Sequence, residues 1–217
     1  MRIISAILEA VAVTLMYCAA VYRYNNIYEL GFRRDRVWFS SLIPLCVGGL
    51  TLFASGILGW IRLPGLSFPL HVLTLFLLWG MAVLTVTDGI RHIVPNRFLV
   101  GLLLVWATVV SLYVILDTAS GMALFFQALA GGIVGGAIFL LCYILSGKQL
   151  GAGDVKLVFV MGLYLTGQRI MGAIFYGSLI CCAYSLIQLC RKKLRLKDGI
   201  PLVPFLYLGT LITLFIL

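Results

Sequence analysis

Charge is what this sequence has least of. Asp, Glu, Lys and Arg together make up 11% of its 217 residues, against about 25% in soluble globular proteins. Seven residues are acidic and two are histidines. Such scarcity excludes a soluble globular domain. Six cysteines are present (Cys18, Cys46, Cys142, Cys181, Cys182 and Cys190), but no Cys-x-x-Cys, so the usual spacing for a zinc or redox centre is missing. All six fall in or at the edge of apolar runs, where they are expected to be small buried apolar residues. No metal site and no cofactor is expected. The net charge of +9 comes from basic residues between apolar runs, which report membrane topology instead of a nucleic-acid partner.

Apolar residues fill the rest, at 63% of the chain and a mean hydropathy of +1.13. Runs of about 18 or more apolar residues mark spanning helices. They give expected spans at roughly 3–22, 38–61, 68–88, 97–116, 122–146, 154–167, 170–190 and 200–217. The expectation is therefore an all-α integral membrane protein, a polytopic bundle of about eight transmembrane helices in a lipid bilayer, with residues 1–217 as one membrane-embedded domain. The first run contains Glu9 and lacks a convincing small-residue cleavage site, so it is read as a retained helix.

Placement of charge gives an orientation. With the N-terminus outside, Arg23, Arg33, Arg34, Arg36, Arg91, Arg97, Lys148, Lys156, Arg191, Lys192, Lys193, Arg195 and Lys197 face the cytoplasm, and Arg2, Arg62 and Arg169 face out. Thirteen of the sixteen Lys and Arg then lie inside, as the positive-inside rule requires. The sixth span is short, because about 14 residues reach about 21 Å across a hydrocarbon core of about 30 Å. Gly131, Gly132, Gly135 and Gly136 form two overlapping Gly-x-x-x-Gly pairs that permit close helix contact. Plain packing is the first reading of them, and a tight scaffold beside an active site the second.

Of the seven acids, Glu29, Asp35, Asp117 and Asp198 fall in loops and read as solvated. Glu9 lies within an apolar run, where an ionisable group is a functional candidate by default, although it is near the outer end and can snorkel. Asp88 and Asp154 differ from these, since each sits where a span meets the cytoplasmic side. Asp88 closes the third span and leads into Gly89-Ile90-Arg91-His92-Ile93-Val94-Pro95-Asn96, with Pro95 in a favoured first-turn position of the next span. Asn96 reads as a turn or helix-start residue, and His92 as a bystander near the headgroups. Asp154 follows Gly151, Ala152 and Gly153, which allow turns and close backbone approach. As a bare pattern Gly-x-Gly-Asp is weak, and the plain alternative is that Asp154 caps a helix. Two carboxylates sharing one proton supply a base and an acid together, which is peptide-hydrolysis chemistry without a metal.

Taken in order, the aspartate at the end of a span, the loop ending Val94-Pro95-Asn96, the run Gly151-Ala152-Gly153-Asp154-Val155-Lys156-Leu157 and the final span opening Ile200-Pro201-Leu202-Val203-Pro204 resemble the type IV prepilin peptidases. The resemblance covers about residues 80–217. It implies a multi-pass protein of the cytoplasmic (inner) membrane that removes a short basic leader, just after a glycine, from pilin-like or pseudopilin-like membrane-anchored substrates. It further implies a catalytic pair at Asp88 and Asp154 on the cytoplasmic face, supported by Gly151, Gly153, Lys156, Pro95 and Asn96. Bifunctional members that also N-methylate the new terminus carry a larger insert with paired cysteines between the first two spans. Here that loop is only residues 23–37 and has no cysteine, so methylation is not expected. The alternative class is a small polytopic transporter, since intramembrane acids and glycine-broken helices also mark substrate pathways.

Overall fold

Each apolar run holds a helix among the described residues. The computed structural model describes residues 2–28, 46–57, 68–147, 150–191 and 200–216, and the described residues hold eight helices and no strand. They are α1 (Arg2–Tyr28), α2 (Cys46–Ile57), α3 (Phe68–Arg91), α4 (Asn96–Leu116), α5 (Thr118–Leu145), α6 (Ala152–Leu165), α7 (Gly167–Cys190) and α8 (Val203–Ile216). The loop expected at 23–37 lies outside the described residues from position 29 on, with Glu29 and Asp35. So do both ends of the second expected span, Arg62, Lys148, and the basic segment 192–199 with Asp198. Helix is what hydrocarbon imposes, because each backbone N–H and C=O must find a partner within its own segment. α1, α3, α4, α5 and α7 are long and apolar enough to cross a membrane.

Two compact units make up the chain, Met1–Arg91 and His92–Leu217. In the first, α3 is the buried helix. Two-thirds of its apolar window (67%) is enclosed, against 22% for α1, and Leu73, Leu77, Leu78, Met81 and Leu84 are fully buried. α1 instead exposes Leu8 and Leu15, an apolar surface suited to acyl chains. Glu9 on α1 meets His71 Nε2 on α3 at 3.0 Å, so the intramembrane acid has a partner that the sequence reading did not assign.

The second unit is organised around α6. This helix has only 14 residues, and eight of them, including every residue from Val160 to Leu165, are buried. A helix of about 21 Å is tolerable here because protein, not lipid, surrounds most of it. Gly131 and Gly132 of α5 lie against it so closely that a Cβ on Gly131 would stand 2.6 Å from the Gly162 carbonyl oxygen. The Gly-x-x-x-Gly pairs thus bring α5 onto the helix that carries Asp154. α4 fixes α6 from another side: Trp106 Nε1–H donates to the Leu163 carbonyl at 2.9 Å and Tyr164 O–H to the Leu102 carbonyl at 2.6 Å. Small residues likewise join α7 to α8, where a Cβ on Gly177 would meet the Phe205 carbonyl oxygen at 3.0 Å.

The cysteines correct the sequence reading. Five are exposed and Cys181 is half-buried. A bilayer makes the outer surface of a helix as apolar as its inner one, so an apolar small residue gains nothing by facing inward.

Candidate active site

Each sequence candidate has a distinct local setting. Asp88 lies in the last turn of α3, not after it, because the helix continues to Arg91. It is 5% exposed, and Thr85 and Thr87 beside it are each 4% exposed. The Thr87 hydroxyl donates to the Leu84 carbonyl at 3.0 Å. Beyond α3 the chain turns at His92, which is exposed and has a φ of 53°. This is a left-handed conformation in which His is tolerated better than most residues. Pro95 then sits at the N-cap of α4 with φ −70° and ψ 121°, one residue before the first-turn position expected for it. Its carbonyl accepts from the N–H groups of Phe98 and Leu99 at 3.0 and 3.3 Å. Asn96 is the first residue of α4, as a helix-start reading has it.

Asp154 is in the first turn of α6 and half-buried. It is not the helix cap. Gly151 holds that position, with φ −66° and ψ 131°, and its carbonyl accepts from the Asp154 N–H at 3.0 Å. The two glycines of the motif have separate steric duties. A Cβ on Gly151 would stand 3.0 Å from Asp154 Oδ2, and one on Gly153 would stand 3.1 Å from Val94 Cβ. Gly151 therefore leaves room for the carboxylate, and Gly153 lets the start of α6 lie against the loop that opens α4.

A second link ties the same two segments together, for Lys156 Nζ–H donates to Asn96 Oδ1 at 3.2 Å. Val94-Pro95-Asn96 and Gly151-to-Lys156 are some 60 positions apart in sequence, yet they meet side by side. From this polar contact a groove of about 480 Å³ runs between α4, α5 and α6, lined by Leu99, Leu103, Gly136, Leu140 and Phe159. Asp88 and Asp154 fall in the two separate units.

Asp117, read from sequence as a solvated loop residue, is the N-cap of α5 and accepts from the Ser120 N–H at 3.2 Å. Its hydrogen bonds, to the Ser120 side chain first and to the Ser120 backbone N–H second, hold the carboxyl below its ordinary value. The contacts of Trp106 and Tyr164 carried no sequence signal, since an aromatic in an apolar run reads only as bulk.

These features define the class as an all-helical, multi-pass membrane protein whose charged residues, Glu9 apart, lie near helix ends among the described residues. Residues 75–186, just over half of the chain, match the type IV leader peptidase family, and the chain belongs to that family. It is a membrane peptidase. The matched stretch begins within α3 and ends within α7, so it includes Asp88, the Val-Pro-Asn loop and the Gly-x-Gly-Asp run. It leaves out α8, where the sequence resemblance extended to residue 217. No curated protein and no solved structure matches the chain.

Proposed function

We propose that this peptidase is an aspartyl endopeptidase that removes the short basic leader from pilin-like membrane-anchored proteins, after a glycine, at the cytoplasmic face of the inner membrane. The observation that carries the reading is the junction of the two motifs. Gly153 and Lys156, flanking Asp154, pack on Val94 and Asn96, the residues that follow Asp88 after a few intervening positions. The orientation with the N-terminus outside, which rests on the positive-inside asymmetry, belongs to the same proposal.

In this reading Asp154 is the base, because the positive end of a helix and its free N–H groups favour a carboxylate there. Asp88, near the negative end of α3, is the proton-bearing partner. Asp154 takes a proton from water as the water oxygen bonds to the scissile carbonyl carbon, and Asp88 gives its proton to the carbonyl oxygen. On collapse the C–N bond breaks, the amine takes the proton held by Asp154, and one hydroxyl proton returns to Asp88, restoring both groups. The apolar groove beside Lys156 offers a surface to the hydrophobic segment that follows the leader. Activity is leader removal without methylation, and no metal or cofactor takes part.

Cleavage of a prepilin in liposomes tests this, with wild type compared to Asp88→Asn and Asp154→Asn. Groups that act as one unit lose nearly everything when either is removed, so each variant is expected to be at least about 10³-fold slower. Appreciable turnover by either variant overturns the pair.

A further inference from the structure

Seven Ser and Thr side chains are buried among the described residues: Thr51, Ser55, Thr74, Thr85, Thr87, Thr210 and Thr213. Six of these return their hydroxyl to a backbone carbonyl one turn earlier in the same helix. Thr51 bonds to Val47, Ser55 to Thr51, Thr74 to Leu70, Thr87 to Leu84, Thr210 to Leu206 and Thr213 to Gly209. This back-bonding is the default for a hydroxyl in an apolar helix, because it satisfies the group locally. Thr85 departs from it. Its Oγ1 is buried with no hydrogen-bond partner among the described residues, although Met81, four positions earlier in the same helix, supplies the same kind of carbonyl.

A buried hydroxyl left unpaired is unfavourable, and where one persists a missing partner is the physical explanation to test. Position narrows what that partner is. Thr85 is three residues before Asp88 on α3, so the two side chains share a helix face with their Cβ atoms about 5–6 Å apart. Both are at least nine-tenths buried. A small acceptor between an unused O–H and a proton-bearing carboxyl could take a hydrogen bond from each.

We infer that Thr85 is a further catalytic residue, its hydroxyl donating to the scissile carbonyl oxygen alongside Asp88. The inference rests on the role proposed above for Asp88. The carbonyl oxygen gains negative charge as water adds, so the Thr85 hydrogen bond strengthens on the way to the transition state and acts on kcat more than on KM. No further proton transfer is required of Thr85, because Asp88 supplies the proton and Thr85 only donates a hydrogen bond.

The test compares wild type, Asp88→Asn, Thr85→Val, Thr85→Ala and Thr85→Ser in the liposome cleavage assay, with thermal melting of each. Thr85→Val keeps the shape and removes only the hydroxyl. It is expected to lower kcat by about 10- to 100-fold, less than a dedicated oxyanion donor in other enzymes, with KM nearly unchanged. Its Tm should equal or exceed that of wild type, since the group removed had no partner. Thr85→Ala should show the same kinetic loss, and Thr85→Ser should retain most of the activity. Thr85→Val with wild-type kcat overturns the inference. So does a kinetic loss in Thr85→Val that Thr85→Ser shares and that tracks a lowered Tm, because that pattern is packing. If Asp88→Asn is inactive while Thr85→Val is normal, only this inference falls. If Asp88→Asn cleaves, or the wild type is inert toward the prepilin, the proposed function falls and this inference with it.

Discussion

Asp88 and Asp154 are the same residue type held in opposite ways. Asp88 lies in the last turn of a 24-residue helix that is the most enclosed of the long ones, with threonines as its polar neighbours. Asp154 opens a 14-residue helix, is half-buried, and has glycines on its N-terminal side. The first carboxyl is positioned by side-chain packing along a long apolar helix. The second is positioned by backbone, through a helix start that two glycines allow to come close to another segment. Substitutions should therefore act by different physical routes at the two ends, and the glycines give the clearest contrast.

Outside the two aspartates and Thr85, Gly151→Ala and Gly153→Ala are expected to have the largest effect. Each places a Cβ at 3.0–3.1 Å from its neighbour, Asp154 Oδ2 in one case and Val94 Cβ in the other, so either the carboxylate or the helix start must shift. The neighbour must give by a few tenths of an ångström, and since about 1 Å of misplacement at a catalytic group costs about 10²-fold in rate, a loss of about 5- to 10-fold in kcat is expected for each. Gly89→Ala is the control on the other side. A Cβ there meets nothing within 4 Å, so activity should persist and Tm should rise, Ala being favoured over Gly in a helix by about 0.5–1 kcal/mol. Equal losses at Gly89 and Gly153 would remove the distinction between the two ends.

The Asn96–Lys156 contact should matter less. It joins an exposed ammonium to a neutral amide, so its net contribution to stability is about 1 kcal/mol or below. Asn96→Ala and Lys156→Met are each expected to slow cleavage severalfold, and the double variant to be no slower than the worse single one, because both break the same link. Fully multiplicative losses would show that the two residues act separately.

How much of this was legible beforehand depends on which force decides each feature. Hydropathy located the helices because hydrocarbon admits little else, and the starts of α3, α4 and α6 fall within a few residues of expectation. It misplaced helix ends. α1 continues to Tyr28, past the expected boundary at 22, since residues 23–28 are too polar for the membrane centre but not for a helix. The burial of α6 was equally hidden, as a run such as Leu157-to-Leu165 looks alike whether lipid or protein surrounds it. Asp88, Asp154 and the Gly-x-Gly run stood out because acids are rare in this chain and glycines before an acid are unusual. The partnerships of Glu9 with His71 and of Asn96 with Lys156 were not readable, because pairing across some 60 residues leaves no local pattern. Thr85 was invisible for another reason. One more threonine in an apolar run signals nothing until its neighbours are seen to be satisfied and it is not.

The smallest expected effect concerns Asp117, an acid outside the proposed chemistry, and its sign can be worked out. The hydrogen bonds from Ser120, side chain first and backbone N–H second, depress the carboxyl from its ordinary value of 3.8 in the folded protein. A depressed folded value means that the folded state binds the proton less readily than the unfolded chain does. Its stabilising contribution is thus fully present above the unfolded value and is lost as pH falls through the folded one. The group is fully exposed, and solvent screening keeps the contribution small. Asp117→Ala removes the α5 cap and is expected to lower Tm modestly at pH 7 without changing cleavage. The gap in Tm between wild type and variant should narrow as pH falls below about 4, because the carboxylate that distinguishes them is then being protonated. A gap that stays constant down to pH 2 would assign the effect to helix propensity at position 117 instead of to the ionised cap. A loss of activity at pH 7 would remove Asp117 from the set of acids without a catalytic role.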